Sequence, residues 1–167
     1  MSSDFKYYEH ASQFLSLLPK GAFLTVRAED KINTMTIGWG AIGYMWRKPV
    51  LMVAVRLSRY TYELMEKSGD FSVSVPLDGK HKKSLAEAGS QSGRDIDKFR
   101  EFSIKAVDGK AIESPVIEGC DQVYECKIIY KQTMDPENLD QDIKEKFYSN
   151  GDYHVLYFGE IMSSYSG

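Results

Sequence analysis

The sequence predicts a mainly β protein: a sheet or barrel core with short helices attached. Several short stretches have strand-like composition or two-residue alternation, and two or three others have helical spacing. No strand–helix rhythm repeats, which separates the chain from a doubly wound nucleotide fold.

GAFLTV, residues 21–26, is a short apolar strand that the charged turn RAEDK ends. Extended chain resumes in KINTMTIGWGAIGYM, residues 31–45. Gly in a strand offers neither packing nor backbone restraint, so three Gly beside Asn, Thr and Trp are unusual there. After the turn signal RKP, VLMVAV at 50–55 is too short for a typical helix and suits a strand covered on both faces. The period then changes. In SRYTYELMEKSG, Ser58 is placed to cap a helix, Tyr60 and Leu64 share a face, and Gly69 can stop it. FSVSV, residues 71–75, alternates as a half-buried strand.

HKKSLAEAG suggests a short helix, and SQSGRDIDKF a loop leading into another helical turn. EFSIKAV at 101–107 alternates like a strand, GKAIESPVIEG reads as a crossing or edge segment around Pro115, and YECKIIYKQ at 124–132 is a longer strand. Leu139, Ile143 and Phe147 form one apolar stripe on a small helix with an acidic start. YHVLYFGEIMSSY, residues 153–165, is the last strand. The chain reads as one domain across 1–167, without internal repeats, linkers or low-complexity tracts.

A net charge of -3 gives no broad positive face, so neither a nucleic acid nor an anionic membrane is implied as a partner. No stretch reaches the roughly 18 apolar residues of a membrane span, and the N-terminus lacks a secretion signal, so a cytoplasmic location is expected. Cys120 and Cys126 match no paired CxxC spacing and suit a reducing compartment. No metal site is expected. His10 and His81 lack ligand spacing, and Asp135, Glu137, Asp140 and Asp142 read as a helix start and solvated face. There is no GxSxG elbow, GxGxxG loop or P-loop.

What remains are two stretches that could serve an anion and a flat ligand. RLSRYT supplies Arg56, Ser58, Arg59 and Thr61 around a helix start; Arg59 can grip phosphate oxygens in pairs, and Arg56 is the weaker candidate by strand alternation. A capped helix with a solvated Arg face reads the same residues differently. In the Gly-rich stretch, Asn33, Thr34 and Thr36 can bond a polyol or the edge of a heterocycle, while Met35, Trp39, Tyr44 and Met45 give apolar surface. Gly38 and Gly40 would let a flat ligand approach the backbone; loop punctuation with core packing is the alternative. Arg94, Asp97 and Lys98 face either a ligand or solvent, and His154 is either a positioned donor or a structural histidine.

The ordered set GAFLTV, NTMTIGW, KPVLMVAV, SRYTYELMEKSGDFSVSVP, SGRDIDKF and DYHVLYFGEI resembles the flavin reductase-like family of FMN-binding split β-barrels, especially its flavoredoxin-like members. The resemblance covers residues 19–161. It implies an FMN-binding split β-barrel and a homodimer with FMN near the subunit contact. It places Asn33, Thr34, Met35, Thr36, Ile37, Gly38 and Trp39 beside the flavin and its ribityl chain. Arg56, Ser58, Arg59 and Thr61 fall at the phosphate, and Arg94, Asp97 and Lys98 in a cofactor-side or partner-subunit loop. His154 matches the histidine of the closing strand and is the catalytic candidate. The implied activity is a flavin reductase that passes hydride from NAD(P)H to flavin and on to an acceptor. The rival classes are a flavoredoxin-like electron carrier served by a redox protein, without direct nicotinamide use, and a split-barrel protein for another ligand or assembly.

Overall fold

The computed structural model describes residues 6–77 and 79–167. Helix α1 (Ala11–Leu17) comes first and was not anticipated from the sequence. Its Phe14 is fully buried and meets the Tyr124 ring edge-on at 5.3 Å, and this anchor stabilises the docked helix by roughly 1.5–3 kcal/mol. Strands β1 (Ala22–Ala28), β2 (Lys31–Ile37), β3 (Gly40–Met45) and β4 (Lys48–Arg56) follow. The turn into β4 is Trp46–Arg47, both at positive φ, while Lys48 and Pro49 of the RKP signal already belong to the strand. A two-residue loop with left-handed backbone matches the twist of a hairpin, so β3 and β4 pair in register from Gly40–Val53 to Met45–Lys48.

Helix α2 (Tyr60–Met65) leads to β5 (Asp70–Val75), then α3 (Lys82–Ser90) and α4 (Lys98–Glu101). The expected strand at 101–107 shrinks to β6 (Ala106–Val107), paired only with β7 (Val116–Ile117). Asp97 caps α4 by accepting from the Phe99 and Arg100 amides, which draws the start of EFSIKAV into a helix end. Strand β8 (Gln122–Thr133), helix α5 (Gln141–Phe147) and strand β9 (His154–Ser166) complete the chain. Asp140 caps α5, and Asp135 the preceding 3-10 turn, so the acidic run serves as helix starts.

Seven strands form one antiparallel sheet in the order β2-β1-β5-β8-β9-β4-β3. The mainly β reading with short helices stands, but the split β-barrel does not: the sheet is open. Closure needs a ladder between the end strands, and β2 and β3 make theirs only with β1 and β4. Side chains from β2 on one side and from β4 and β9 on the other line a hollow in the opening.

The sheet is covered on both faces. Leu24 and Val26 of β1 enter a large core with Phe14, Leu64, Met65, Phe71 and Tyr157. Phe23 points the other way, into a smaller core with Leu85, Ala88, Phe102 and Ile117. This explains why β5 is buried throughout Phe71–Val75 rather than on one face, its serines bonded inward: Ser72 Oγ donates to the Pro115 carbonyl at 2.6 Å. Cys120 and Cys126 are buried free thiols. No helix among the described residues is long and apolar enough to cross a membrane.

Candidate functional site

Strand β2 carries two kinds of side chain in alternation, and this divides the Gly-rich stretch. Met35 and Ile37 reach the core edge and line the hollow. Thr34 turns away: its hydroxyl bonds Thr25 at 3.0 Å and the Leu24 carbonyl at 3.2 Å, so it contributes no side chain to the site. Thr36 lines the hollow, but its hydroxyl donates to the Leu85 carbonyl at 2.6 Å, tying β2 to α3. Asn33 is buried and donates to Thr61 Oγ1 at 2.9 Å, joining β2 to the start of α2.

Two hollows of about 190 Å³ each meet at Met35 and Arg59. The first is lined by Met35, Thr36, Ile37, Gly38, Trp39, Ala54, Arg56, Arg59 and His154. The second is lined by Asn33, Met35, Ser58, Arg59, Tyr60, Thr61, the loop Ser90–Arg94 and Lys98. The first therefore sets the apolar Met35, Ile37, Trp39 and Ala54 beside Arg56, Arg59 and His154, and the second is polar and cationic.

Trp39 is 45% exposed and stands in the wall of the first hollow, its ring 5.2 Å from both Phe147 and His154. His154 is 7% exposed, and its Nδ1 lies 2.7 Å from the Tyr148 hydroxyl. Burial pushes the imidazole down to about 4; the Arg56 and Arg59 cations act in the same direction and Asp152 opposes them. It is neutral at neutral pH, so it offers a hydrogen bond rather than a charge.

In the second hollow, Lys98 is 4% exposed and donates to the carbonyls of Thr34 at 2.9 Å and Ala88 at 2.7 Å. Burial first, and the neighbouring Arg59 second, bring its ammonium down to about 8. Arg59 uses one guanidinium nitrogen on the Gly89 carbonyl at 3.1 Å. Neither cation has a carboxylate partner among the described residues. Gly93 lets the 90–94 loop pass tightly: a Cβ there would stand 2.8 Å from Asn33 Cγ and 2.9 Å from the Tyr60 ring.

Other sequence candidates have structural duties. Arg56 lines the first hollow, yet its nitrogens donate to the carbonyls of Asp152 at 2.6 Å and Phe147 at 3.2 Å, which holds the loop between α5 and β9. Ser58 does not cap α2: Arg59 is the N-cap, without a side-chain bond, because Asp152 takes both the Ser58 amide at 3.1 Å and its hydroxyl at 2.6 Å. Arg94 borders the second hollow but pairs with Glu63 and donates to the Ser58 carbonyl at 3.2 Å. Asp97 lines neither hollow and serves as the α4 cap. Sequence reasoning missed Ala54, a small residue inside an apolar strand, and Tyr148, six residues before His154; neither position carries a local signal.

The model of the family described as flavin reductase like domain matches residues 17–165. An uncharacterized protein of Archaeoglobus fulgidus is 30% identical over 146 residues, spanning 87% of this chain and 72% of that protein. The flavoredoxin of Methanosarcina acetivorans is similar in structure, with a TM-score of 0.67 at 26% identity, over 88% of this chain and 68% of that one. The FMN-binding protein of Thermus thermophilus, solved with bound p-hydroxybenzaldehyde, gives 0.68 at 25% identity over 87% and 70%. With residues 17–165 matched by the family model, and two adjoining hollows that share Met35 and Arg59 between β2 and the start of α2, this chain belongs to the flavin reductase like domain family.

Proposed function

We infer that the chain is an FMN-binding, flavin reductase-like oxidoreductase. The observation that carries this reading is the junction of the two hollows at Arg59 and Met35, with buried Lys98 beside it. Two neighbouring cations without carboxylates suit a dianionic phosphate, which would restore the charge balance that burial of Lys98 upsets. The donor chemistry fits FMN: Arg59, Lys98 and Thr61 would hold the phosphate, and Trp39, Ile37, Met35 and His154 would border the ring. The FMN-binding protein and the flavoredoxin among the similar structures support the same cofactor.

When bound, the flavin supplies the redox chemistry, taking hydride from NADH or NADPH and passing electrons to an acceptor. The protein would hold the anion, offer a neutral N–H from His154, and shield one side of the site with Trp39, whose ring Phe147 braces edge-on. Incubate the purified chain with FMN, remove the excess, and add NADH or NADPH without oxygen. About one flavin per chain and a bleached flavin band are expected. Retention of no flavin overturns the reading, and a retained flavin that neither nicotinamide reduces replaces the reductase with the electron carrier.

The proposal includes a homodimer. Tyr44, Met45 and Trp46 on edge strand β3 and its turn are at least half exposed, and Trp46 packs with Tyr130 and Phe158 at 5.9 and 6.3 Å. An unpaired edge with an aromatic patch supports burial against a second copy. Solution mass tests this. A single domain over 1–167 is proposed on the one sheet that runs from β1 to β9, and a cytoplasmic location on the two free thiols.

A further inference from the structure

We propose that Tyr148 is a positioning residue that fixes His154 in one tautomer, protonated at Nε2, so that the imidazole presents a neutral N–H donor to a flat heterocycle in the first hollow. The inference rests on the functional reading above for the identity of the heterocycle alone.

The argument begins with a buried hydroxyl. Tyr148 is 3% exposed and its oxygen lies 2.7 Å from His154 Nδ1, its sole partner among the described residues. If Nδ1 carried the proton, the hydroxyl would accept it and its own hydrogen would be left without an acceptor, which costs about 1–3 kcal/mol for a buried donor. If the hydroxyl donates to a bare Nδ1, both groups are satisfied. The ring proton then sits on Nε2.

Nε2 makes no hydrogen bond to any described residue, yet it is not one of their buried unpartnered atoms, which are Arg27 Nε, Gln122 Oε1 and the Tyr124 hydroxyl. Solvent therefore reaches it, and His154 lines the first hollow beside Trp39. An N–H there meets an acceptor on a heterocycle, a ring carbonyl or ring nitrogen, through one hydrogen bond and no proton transfer.

The phenol is held from several sides. Tyr148 ends α5, where its amide donates to the Lys144 carbonyl at 2.9 Å. Its ring stacks on Tyr153 at 5.1 Å, with the Arg56 guanidinium 5.1 Å from its centroid. The charged groups near the imidazole are Arg56, Arg59 and Asp152; the two cations favour its neutral form and outnumber the carboxylate. Burial raises the Tyr148 phenol, so it keeps the proton it donates.

The chain has three histidines, which makes nitrogen-15 imidazole spectroscopy practical on the full-length, flavin-free protein, with His154→Gln identifying the signal. The wild type is expected to show Nε2 protonated and Nδ1 bare at pH 7. Tyr148→Phe is expected to give a mixture of tautomers and to weaken FMN about 2- to 10-fold, the effect of one misdirected neutral hydrogen bond. Tyr153→Phe, which keeps the ring stack, should change neither. A proton on Nδ1 in the wild type overturns the proposal, even if Tyr148→Phe fails to fold; so does an unaltered tautomer in a folded Tyr148→Phe. The tautomer is read without flavin, so a chain with the expected tautomer that binds no FMN refutes the functional reading and leaves the Tyr148–His154 assignment standing.

Discussion

Lys98 Nζ donates to the Thr34 carbonyl oxygen across 2.9 Å, which draws an ammonium on α4 beneath β2 and next to Arg59. A buried cation facing another cation is a cost that a bound anion offsets. Lys98→Met should therefore weaken FMN roughly 10- to 100-fold, as expected for a charge-assisted contact, while the flavin-free protein unfolds at a similar temperature. Fluorescence titration paired with thermal unfolding measures both; unchanged affinity would remove Lys98 from the phosphate site.

The same lysine sets a pH dependence. Its folded value, about 8, lies below the ordinary 10.5, so between these values the unfolded chain binds more protons and flavin-free stability rises with pH. Affinity for the anion has the opposite slope. Above the phosphate's own second ionisation, at roughly pH 6, it is level up to about pH 8 and falls beyond that, by at most about tenfold per unit, because the proton that the phosphate favours must be taken up on binding. Lys98→Met should abolish this component of the slope.

Arg56 and Arg59 divide the labour that their sequence spacing left open. Arg59→Ala should weaken FMN tenfold or more, and by more than His154→Gln, since it removes a cation at the junction of the hollows. Arg56→Ala should act on stability instead, by about 1–3 kcal/mol, because its hydrogen bonds go to the Asp152 and Phe147 carbonyls. Equal affinity losses in the two variants would contradict this division.

From the sequence, Trp39 reads either as an aromatic wall or as an anchor turned away from the ligand face, with the anchor preferred. The structure places the ring in the wall at 45% exposure. Trp39→Phe should hold affinity within a few fold, and Trp39→Ala should lose about tenfold with little change in melting temperature, since one ring face of stacking is removed and little core is disturbed. A large stability loss with intact affinity would restore the anchor.

Acid should weaken the fold through His154. Its folded value near 4 is below the ordinary 6.5, so its contribution is complete above pH 6.5 and is lost as pH falls through 4. Urea unfolding between these pH values should show a decline that His154→Gln reduces; identical slopes would count against burial of a neutral imidazole.

What the sequence determined by itself was local. Two-residue alternation and apolar runs located β1, β4, β5, β8 and β9, and helical spacing located α2, α3 and α5, because these periods follow from the backbone geometry of each element. Residue types that could serve a candidate site were legible too, and Arg59, Lys98, Gly38 and Trp39 among them line the two hollows. Only the tertiary structure decided which of them face one another. Thr34 and Thr36 look equivalent in NTMT, yet one bonds into β1 and the other to α3; Arg56 and Arg59 look like a pair, yet one holds a loop and the other lines both hollows. The open sheet was equally beyond local reading, because closure depends on whether the first and last members of the strand order meet. Tyr148 took its role from a hydrogen bond across the end of α5, and a contact of that kind exists only once the chain has packed.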